Sequence, residues 1–205
     1  ALAKKSRLYD TATRQGDFNF RNAPIAREIE TSQLLVIGFG RIGTQVTRRA
    51  LAFGMQVHVY DPYVTDSAIQ NQGAHVVHSL LNALPQMDIV SVHCPLNEET
   101  QNLIGKNELD LMKADALLIN TARGGIVDES ALHDTLAQGG IAGAGIDVFV
   151  TEPTDPSHPL LALDTVMVSP HCAGVTVESS VRTARIAAQN ILNGLDHTLD
   201  EIFVV

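Results

Sequence analysis

The sequence predicts an α/β fold with a doubly wound parallel sheet. Short apolar runs rich in β-branched residues recur along it, at 34–37, 57–60, 75–77, 89–93, 116–119, 144–148 and 166–168. Most of them do not alternate with polar residues, which is the pattern of strands buried on both faces. Helical segments lie between several of the runs, and strands alternating with helices make a parallel sheet. The first run also leads straight into a glycine-rich turn, a place where such sheets receive ligands.

The elements follow in order. Residues 1–30 are mixed and polar, with Gly16 and Pro24 as breakers, and 1–14 reads as the tail of a helix. This part is expected to be a connecting arm with no core of its own, and residues 31–205 the folded domain. Helices are expected at 42–53, 79–84, 106–112, 129–138 and 177–192. Residues 151–159 carry three prolines and read as a loop. Glu98 and Glu99 read as a solvated helix start, where negative charge suits the helix dipole. Gly139-Gly140 reads as a helix end.

The run 34–37 enters Gly38-Phe39-Gly40-Arg41-Ile42-Gly43, and a helix follows. A bare glycine motif of this spacing is a weak signal; between a strand and a helix it is a dinucleotide-binding fingerprint of the Rossmann type. Gly38 permits the tight turn, Gly40 lets a pyrophosphate approach the backbone, and Gly43 lets helix and strand pack closely. The pyrophosphate is expected on the helix N-terminus. The second strand ends at Asp61, whose carboxylate suits the adenosine ribose hydroxyls and repels a 2′-phosphate, favouring NAD over NADP.

Three further strand ends carry reactive side chains. Arg123 follows 116–119, in Asn120-Thr121-Ala122-Arg123-Gly124-Gly125, and a guanidinium there offers a bidentate fork to a carboxylate. Asp147 ends 144–148, with Glu152-Pro153 just beyond. His171 follows 166–168 in Ser169-Pro170-His171. A Glu beside a His raises the imidazole pKa and fixes its tautomer. Such a His can take a hydroxyl proton during oxidation and return it during reduction.

These motifs, with His93-Cys94-Pro95-Leu96, resemble the cofactor-binding domain of the D-isomer-specific 2-hydroxyacid dehydrogenases, over about 33–205. The resemblance implies an NAD-dependent oxidoreductase that passes hydride between nicotinamide and a D-2-hydroxy or 2-oxo acid. It implies that Arg123 binds the substrate carboxylate and polarises the reacting carbonyl. His171 becomes the general acid/base and Glu152 its partner. Asp147 anchors the nicotinamide end, and Thr121 and Ala122 line the cofactor cleft. The loop His93, Cys94, Pro95 lies beneath adenosine and pyrophosphate. Arg41, Ile42, Thr100, Ala173 and Gly174 complete the expected cofactor contacts. Formate dehydrogenases, relatives with no hydroxyl proton to handle, carry Gln where Glu152 stands.

The sequence also departs from the family. Family members exceed three hundred residues, and their substrate-binding domain comes mainly from the first hundred or so plus the extreme C-terminus. Here Ala1-Leu2-Ala3-Lys4-Lys5 resembles the end of an inter-domain helix, and the chain ends at Val204-Val205, where relatives continue briefly. The N-terminal substrate domain is therefore expected to be missing, and this form to be inactive or weakly active. The family's frequent Trp before the first strand is absent; Phe18 and Phe20 are the nearest aromatics.

Bulk properties narrow the field. A net charge of −9 argues against non-specific nucleic-acid binding. No apolar stretch approaches a membrane span. Cys94 and Cys172 are too few for a disulfide framework, so the cytoplasm is the default location, and both read as small buried thiols. His58, His75, His78, His133, His158 and His197 show no usable metal-ligand spacing, and no metal is expected. The family's habit implies a homodimer. An NAD-responsive regulatory module, like the corepressors similar to this family, stays open, because it carries the same Arg, Glu and His. The hydroxy acid itself is not named by these residues.

Overall fold

A computed structural model describes residues 1–196. Its chain divides into two compact units, Ala1–Pro170 and His171–Val205. The first unit opens with α1 (Ser6–Arg14), followed by a 3₁₀ turn at Phe18–Asn22. Then come β1 (Gln33–Ile37), α2 (Arg41–Ala52), β2 (Gln56–Tyr60), α3 (Asp66–Gln70), β3 (His75–Val76) and α4 (Leu80–Ala83). It continues through β4 (Ile89–Val92), α5 (Lys106–Leu111), β5 (Leu117–Asn120), α6 (Glu129–Ala137), β6 (Gly143–Ile146) and β7 (Val166–Val168). The second unit holds α7 (Val177–Leu195).

The seven strands form one sheet in the order β3-β2-β1-β4-β5-β6-β7, every pair parallel. The order reverses between β1 and β4, and that switch point opens a crevice at the carboxyl ends of the strands. Two cores cover the sheet. Leu35, Ile37, Val90, Val92 and Leu118 pack with Leu109, Leu132 and Leu136 of α5 and α6. Leu34, Val36, Val57 and Val59 pack with Ala50 of α2 and Ile69 of α3. Adjacent residues of one strand thus point into different cores, which is why the strands read as unbroken apolar runs.

Residues 1–30 belong to the first unit. Ala12 is buried, and the Leu2 side chain lies over the sheet at Gly143 and Gly145. Arg27 donates from its backbone N–H to the carbonyl of Ala3 at 2.8 Å and pairs with Asp115. At the amino end of the sheet, Asp88 accepts from the Gln33 N–H at 2.7 Å and from Lys113 Nζ at 2.8 Å.

Three details differ from what the sequence predicts. Glu98 and Glu99 begin a single capped turn and no helix: the Asn97 side chain accepts the N–H groups of Glu99 and Thr100 at 3.0 Å each, but Asn102 has a φ of 51° and donates its N–H to the Gly125 carbonyl at 2.7 Å. The helix that follows waits for Gly105, where the Glu108 carboxylate accepts the Gly105 N–H at 3.1 Å. The expected loop 151–159 ends in a 3₁₀ turn, Pro159–Ala162, which buries Leu160. Helix α3 is also absent from the sequence reading; its five residues bury only Ile69. Gly139, with a φ of 71°, does end α6.

In the second unit, the Thr176 hydroxyl caps α7 by accepting from Ser179 N at 3.0 Å, and Ser179 Oγ accepts from Thr176 N at 2.7 Å. Among the described residues no helix is long and apolar enough to cross a membrane. His197 and Val204-Val205 lie outside the described residues.

Candidate active site

Register builds the site. Ile37 pairs with Tyr60 and Val92, Val92 with Asn120, Asn120 with Ile146, and Ile146 with Val168. Six strands therefore end level. The residues that follow them, Asp61, Gly38, His93, Thr121, Asp147 and Ser169, form one row along the carboxyl edge. The sequence points to all of these except Ser169 as site residues.

The glycine turn is sterically determined at two positions. Gly38 has a φ of 94°, and a Cβ there would sit 2.6 Å from the Cys94 nitrogen. At Gly43 a Cβ would sit 2.0 Å from the Gly38 carbonyl oxygen, so α2 can approach β1 only with glycine there. Gly40 differs: a Cβ there would meet nothing within 4 Å. Gly40 caps α2 with no side-chain hydrogen bond, and no acid stands in the first turn. The helix N-terminus thus keeps its backbone donors and positive dipole for an anion.

Asp61 braces this turn. Its Oδ2 accepts from Phe39 N at 2.7 Å, and its Oδ1 accepts from Tyr63 N at 2.9 Å. Each carboxylate oxygen can accept twice, so both keep capacity for a ligand hydroxyl.

Two clefts run along the edge, and a third meets it from the sheet face. The first, of ≈ 240 Å³, is lined by Gly38, Gly40, Asp61, His93, Cys94, Pro95 and Thr100. Tyr63 and Glu99 also line it, with the Tyr63 hydroxyl donating to the Glu99 carboxylate. The second, of ≈ 560 Å³, is lined by Arg41, Ile42, His93, Cys94, Pro95, Thr121, Ala122 and Arg123. The third, of ≈ 430 Å³, lies on the sheet face between Ala1–Ala3 and Ile29 and the strand residues Ile89, Leu117, Ile119 and Gly145, and meets the edge only at Thr121, Asp147 and Ser169. His93–Pro95 joins the first to the second, and Thr121 joins the second to the third. The first two clefts lie at the switch point, where open α/β sheets of this kind take their ligands.

The Arg123 turn is organised by Asn120. Its Nδ2 donates to the Arg123 carbonyl at 2.9 Å, and its Oδ1 accepts from Ala122 N at 3.0 Å. Arg123 is exposed, and its Nη1 donates to the Ala122 carbonyl at 2.6 Å. Gly124 packs against the Phe149–Val150 peptide so closely that a Cβ would sit 2.0 Å from the Phe149 oxygen. Glu152 is exposed on the next loop, with Oε1 accepting from Phe149 N at 2.9 Å. Asp147 is buried and accepts from the Ser169 hydroxyl.

His171, Ala173 and Gly174 lie in the second unit. His171 has a φ of 52°, an uncommon backbone state for a residue with a side chain and one that clusters at functional sites. The Gly174 carbonyl accepts from Ser179 Oγ at 2.8 Å.

Burial sets the chemistry of the loop between the clefts. It pushes the Cys94 thiol up to about 11, so Cys94 is no nucleophile at neutral pH. Burial likewise holds the His93 imidazole below its ordinary value, and Ser91 Oγ bonds its Nε2 at 2.9 Å. Among the described residues no group of three or more His, Cys, Asp or Glu stands together as a metal site. The sequence assigns no role to Tyr63, Asn97, Asn120, Glu129 or Ser169, although the last three stand inside its motifs. Only Asn97 had a local signal, an Asn two residues after a Pro at a strand end.

Comparison with known proteins agrees with this geometry. A family model for the NAD binding domain of D-isomer specific 2-hydroxyacid dehydrogenases matches residues 1–173. A glyoxylate reductase of Korarchaeum cryptofilum is 38% identical over 195 residues, covering 94% of this chain and 58% of that protein. A D-3-phosphoglycerate dehydrogenase of Archaeoglobus fulgidus is 37% identical over 193 residues, 94% of this chain and 36% of that protein. The D-lactate dehydrogenase of Aquifex aeolicus, solved with NAD and lactic acid, superposes with a TM-score of 0.86 at 32% identity, over 96% of this chain and 63% of its own. The chain spans between about a third and three-fifths of the length of these curated relatives.

Proposed function

The chain belongs to the D-isomer specific 2-hydroxyacid dehydrogenase family as its NAD-binding domain, and on that premise we propose that it serves an NAD-dependent dehydrogenase of small D-2-hydroxy acids. The observation that carries this reading is the level row of strand ends, with two adjoining clefts that run along it from Asp61 past the N-terminus of α2 to Arg123.

Bound NAD supplies the acceptor for hydride from C2 of the hydroxy acid. The chain's own residues do the rest. The N-terminus of α2 binds the diphosphate through backbone N–H groups, and Asp61 selects the unphosphorylated ribose. Arg123 turns from the Ala122 carbonyl to hold the substrate carboxylate and to stabilise charge on the reacting oxygen. His171 removes the hydroxyl proton in oxidation and returns it in reduction, with Glu152 as its partner. Asp147 orients the nicotinamide end.

The substrate is proposed to be a small 2-oxo or 2-hydroxy carboxylate, completed by a second domain, so these 205 residues alone bind NAD(H) and turn over weakly or not at all. A cytoplasmic homodimer joined through this domain and residues 1–30 completes the proposal. Sedimentation showing only monomer at high concentration would refute the dimer.

The test is NADH oxidation by the whole protein against a panel of small 2-oxo acids, followed by absorbance. Turnover supports the dehydrogenase. NADH binding without turnover on any acid favours the regulatory module instead.

A further inference from the structure

The proposed chemistry depends on Glu152, a carboxylate carried by an exposed loop. We propose that Glu129 is a positioning residue of the active site, whose two carboxylate oxygens pin both ends of that loop. The inference rests on the dehydrogenase reading for its catalytic meaning and on unit-one geometry for its structure.

Glu129 is the first residue of α6, and its side chain is only 17% exposed. Its Oε1 accepts the Val150 N–H at 2.7 Å. Its Oε2 lies 3.1 Å from Nε2 of His158. Leu160 N donates to His158 Nδ1 at 3.4 Å, so in the neutral ring the proton sits on Nε2 and points at Glu129. Val150 and His158 bracket Glu152 in the chain. Phe149 closes the loop by packing edge-on against His158, with ring centroids 5.5 Å apart. The Phe149 N–H holds Glu152 Oε1 at 2.9 Å, one peptide away from the bond that Glu129 makes.

The same peptide supports Arg123. At Gly124, the next residue, a Cβ would lie 2.0 Å from the Phe149 oxygen and 2.5 Å from the Val150 nitrogen. The Arg123 turn therefore rests on the peptide that Glu129 holds, and one carboxylate governs the setting of both proposed site residues. A first-turn acid serving the helix dipole alone would stay in water. This one is mostly buried, and both oxygens face another segment, where desolvation is tolerated only because each is bonded.

The test uses the whole protein with Glu129→Ala, Glu129→Gln, Glu152→Gln and the double variant Glu129→Ala/Glu152→Gln. Glu129→Ala is expected to leave the NADH Kd unchanged and to lower kcat by about a hundredfold, since a misplacement of about 1 Å is enough for that. Glu129→Gln keeps an acceptor for the Val150 N–H and is expected to recover most of the loss. The double variant is expected to fall little below Glu152→Gln, because the two act on one interaction. Amide hydrogen exchange over residues 149–158 is expected to quicken in Glu129→Ala while the α2 amides keep their protection.

Unchanged exchange in that loop overturns the clamp. Quickened exchange with unchanged kcat, or losses that add in the double variant, overturns the positioning role. A parent that binds NADH but reduces no 2-oxo acid sinks the dehydrogenase reading and the positioning role with it, and the exchange result then decides the clamp alone.

Discussion

Gly43→Ala sets two known effects against each other. Gly43 lies inside α2, where alanine is favoured over glycine by about 1 kcal/mol. The added Cβ, however, would sit 2.0 Å from the Gly38 carbonyl oxygen and 3.4 Å from a Val36 methyl. A carbon–oxygen contact needs about 3.3 Å, so α2 must retreat by about 1.3 Å from the turn or the turn must open. Neither partner is a flexible side-chain tip. Overpacking against such a surface costs about 1 to 3 kcal/mol, and the rigid backbone contact places this site at the upper end. The net loss is about 1 to 2 kcal/mol, or a Tm lower by about 2 to 8 °C for a domain of this size. The retreat also moves the N-terminus of α2, so NADH binding weakens in parallel. Thermal unfolding and an NADH titration of the same preparation read both effects. A Gly43→Ala protein with the parent's Tm or a higher one, and the parent's affinity, would refute the argument that Gly43 is there for close packing.

Other expectations separate binding, catalysis and stability. Gly40→Ser meets open space and gains a good helix cap, so it keeps the Tm; its hydroxyl competes for the α2 donors, and NADH affinity falls by about tenfold, about 1.4 kcal/mol, by calorimetry. Asp61→Ser removes the ribose acceptor and the brace on Phe39, so NADH binds more weakly and the preference over NADPH shrinks; an unchanged NADH to NADPH ratio of Kd values contradicts the assignment. Arg123→Ala and His171→Ala each lower turnover of the whole protein by about a hundredfold or more while leaving NADH binding intact, and lost NADH binding in either speaks against that division of roles. Asp88 gives a pH effect. Burial works against its charge, but the Lys113 bond and the Gln33 N–H outweigh it and hold its carboxyl below the ordinary range. A lowered value stabilises the fold above the unfolded pKa of about 3.9, and that contribution fades as pH falls through the folded value. Asp88→Asn should therefore cost about 1 to 2 kcal/mol at neutral pH and nothing in strong acid, where parent and variant should unfold alike.

Much of this architecture is legible in the sequence because buried parallel strands leave unbroken apolar runs, and because the glycine turn allows no other residue at Gly38 or Gly43. The strand-end row is legible for the same reason: once the strands are level, the residue after each one is placed. What escapes is short or non-local. Helix α3 has one buried apolar residue, Ile69, too few for a period to show. The pair Glu98-Glu99 has the charge of a helix start and Asn97 caps one turn, but Asn102 leaves it with a φ of 51° and donates its N–H to the distant Gly125 carbonyl. Glu129 reads locally as a first-turn acid, while its partners lie 21 and 29 residues further on, beyond any local pattern. Asn120 is likewise visible only once the Arg123 turn closes on it.

The proposal that the carboxyl edge from Asp61 to Arg123 forms one dinucleotide site rests on the two adjoining clefts there. Backbone amide shifts recorded while NADH is added to this chain test it directly. Saturable shifts with one NADH per chain are expected, concentrated at Gly38–Gly43, Asp61, His93–Thr100 and Thr121–Arg123, with the α5 and α6 amides left in place. Absence of binding, or shifts confined to the opposite edge of the sheet, would contradict it.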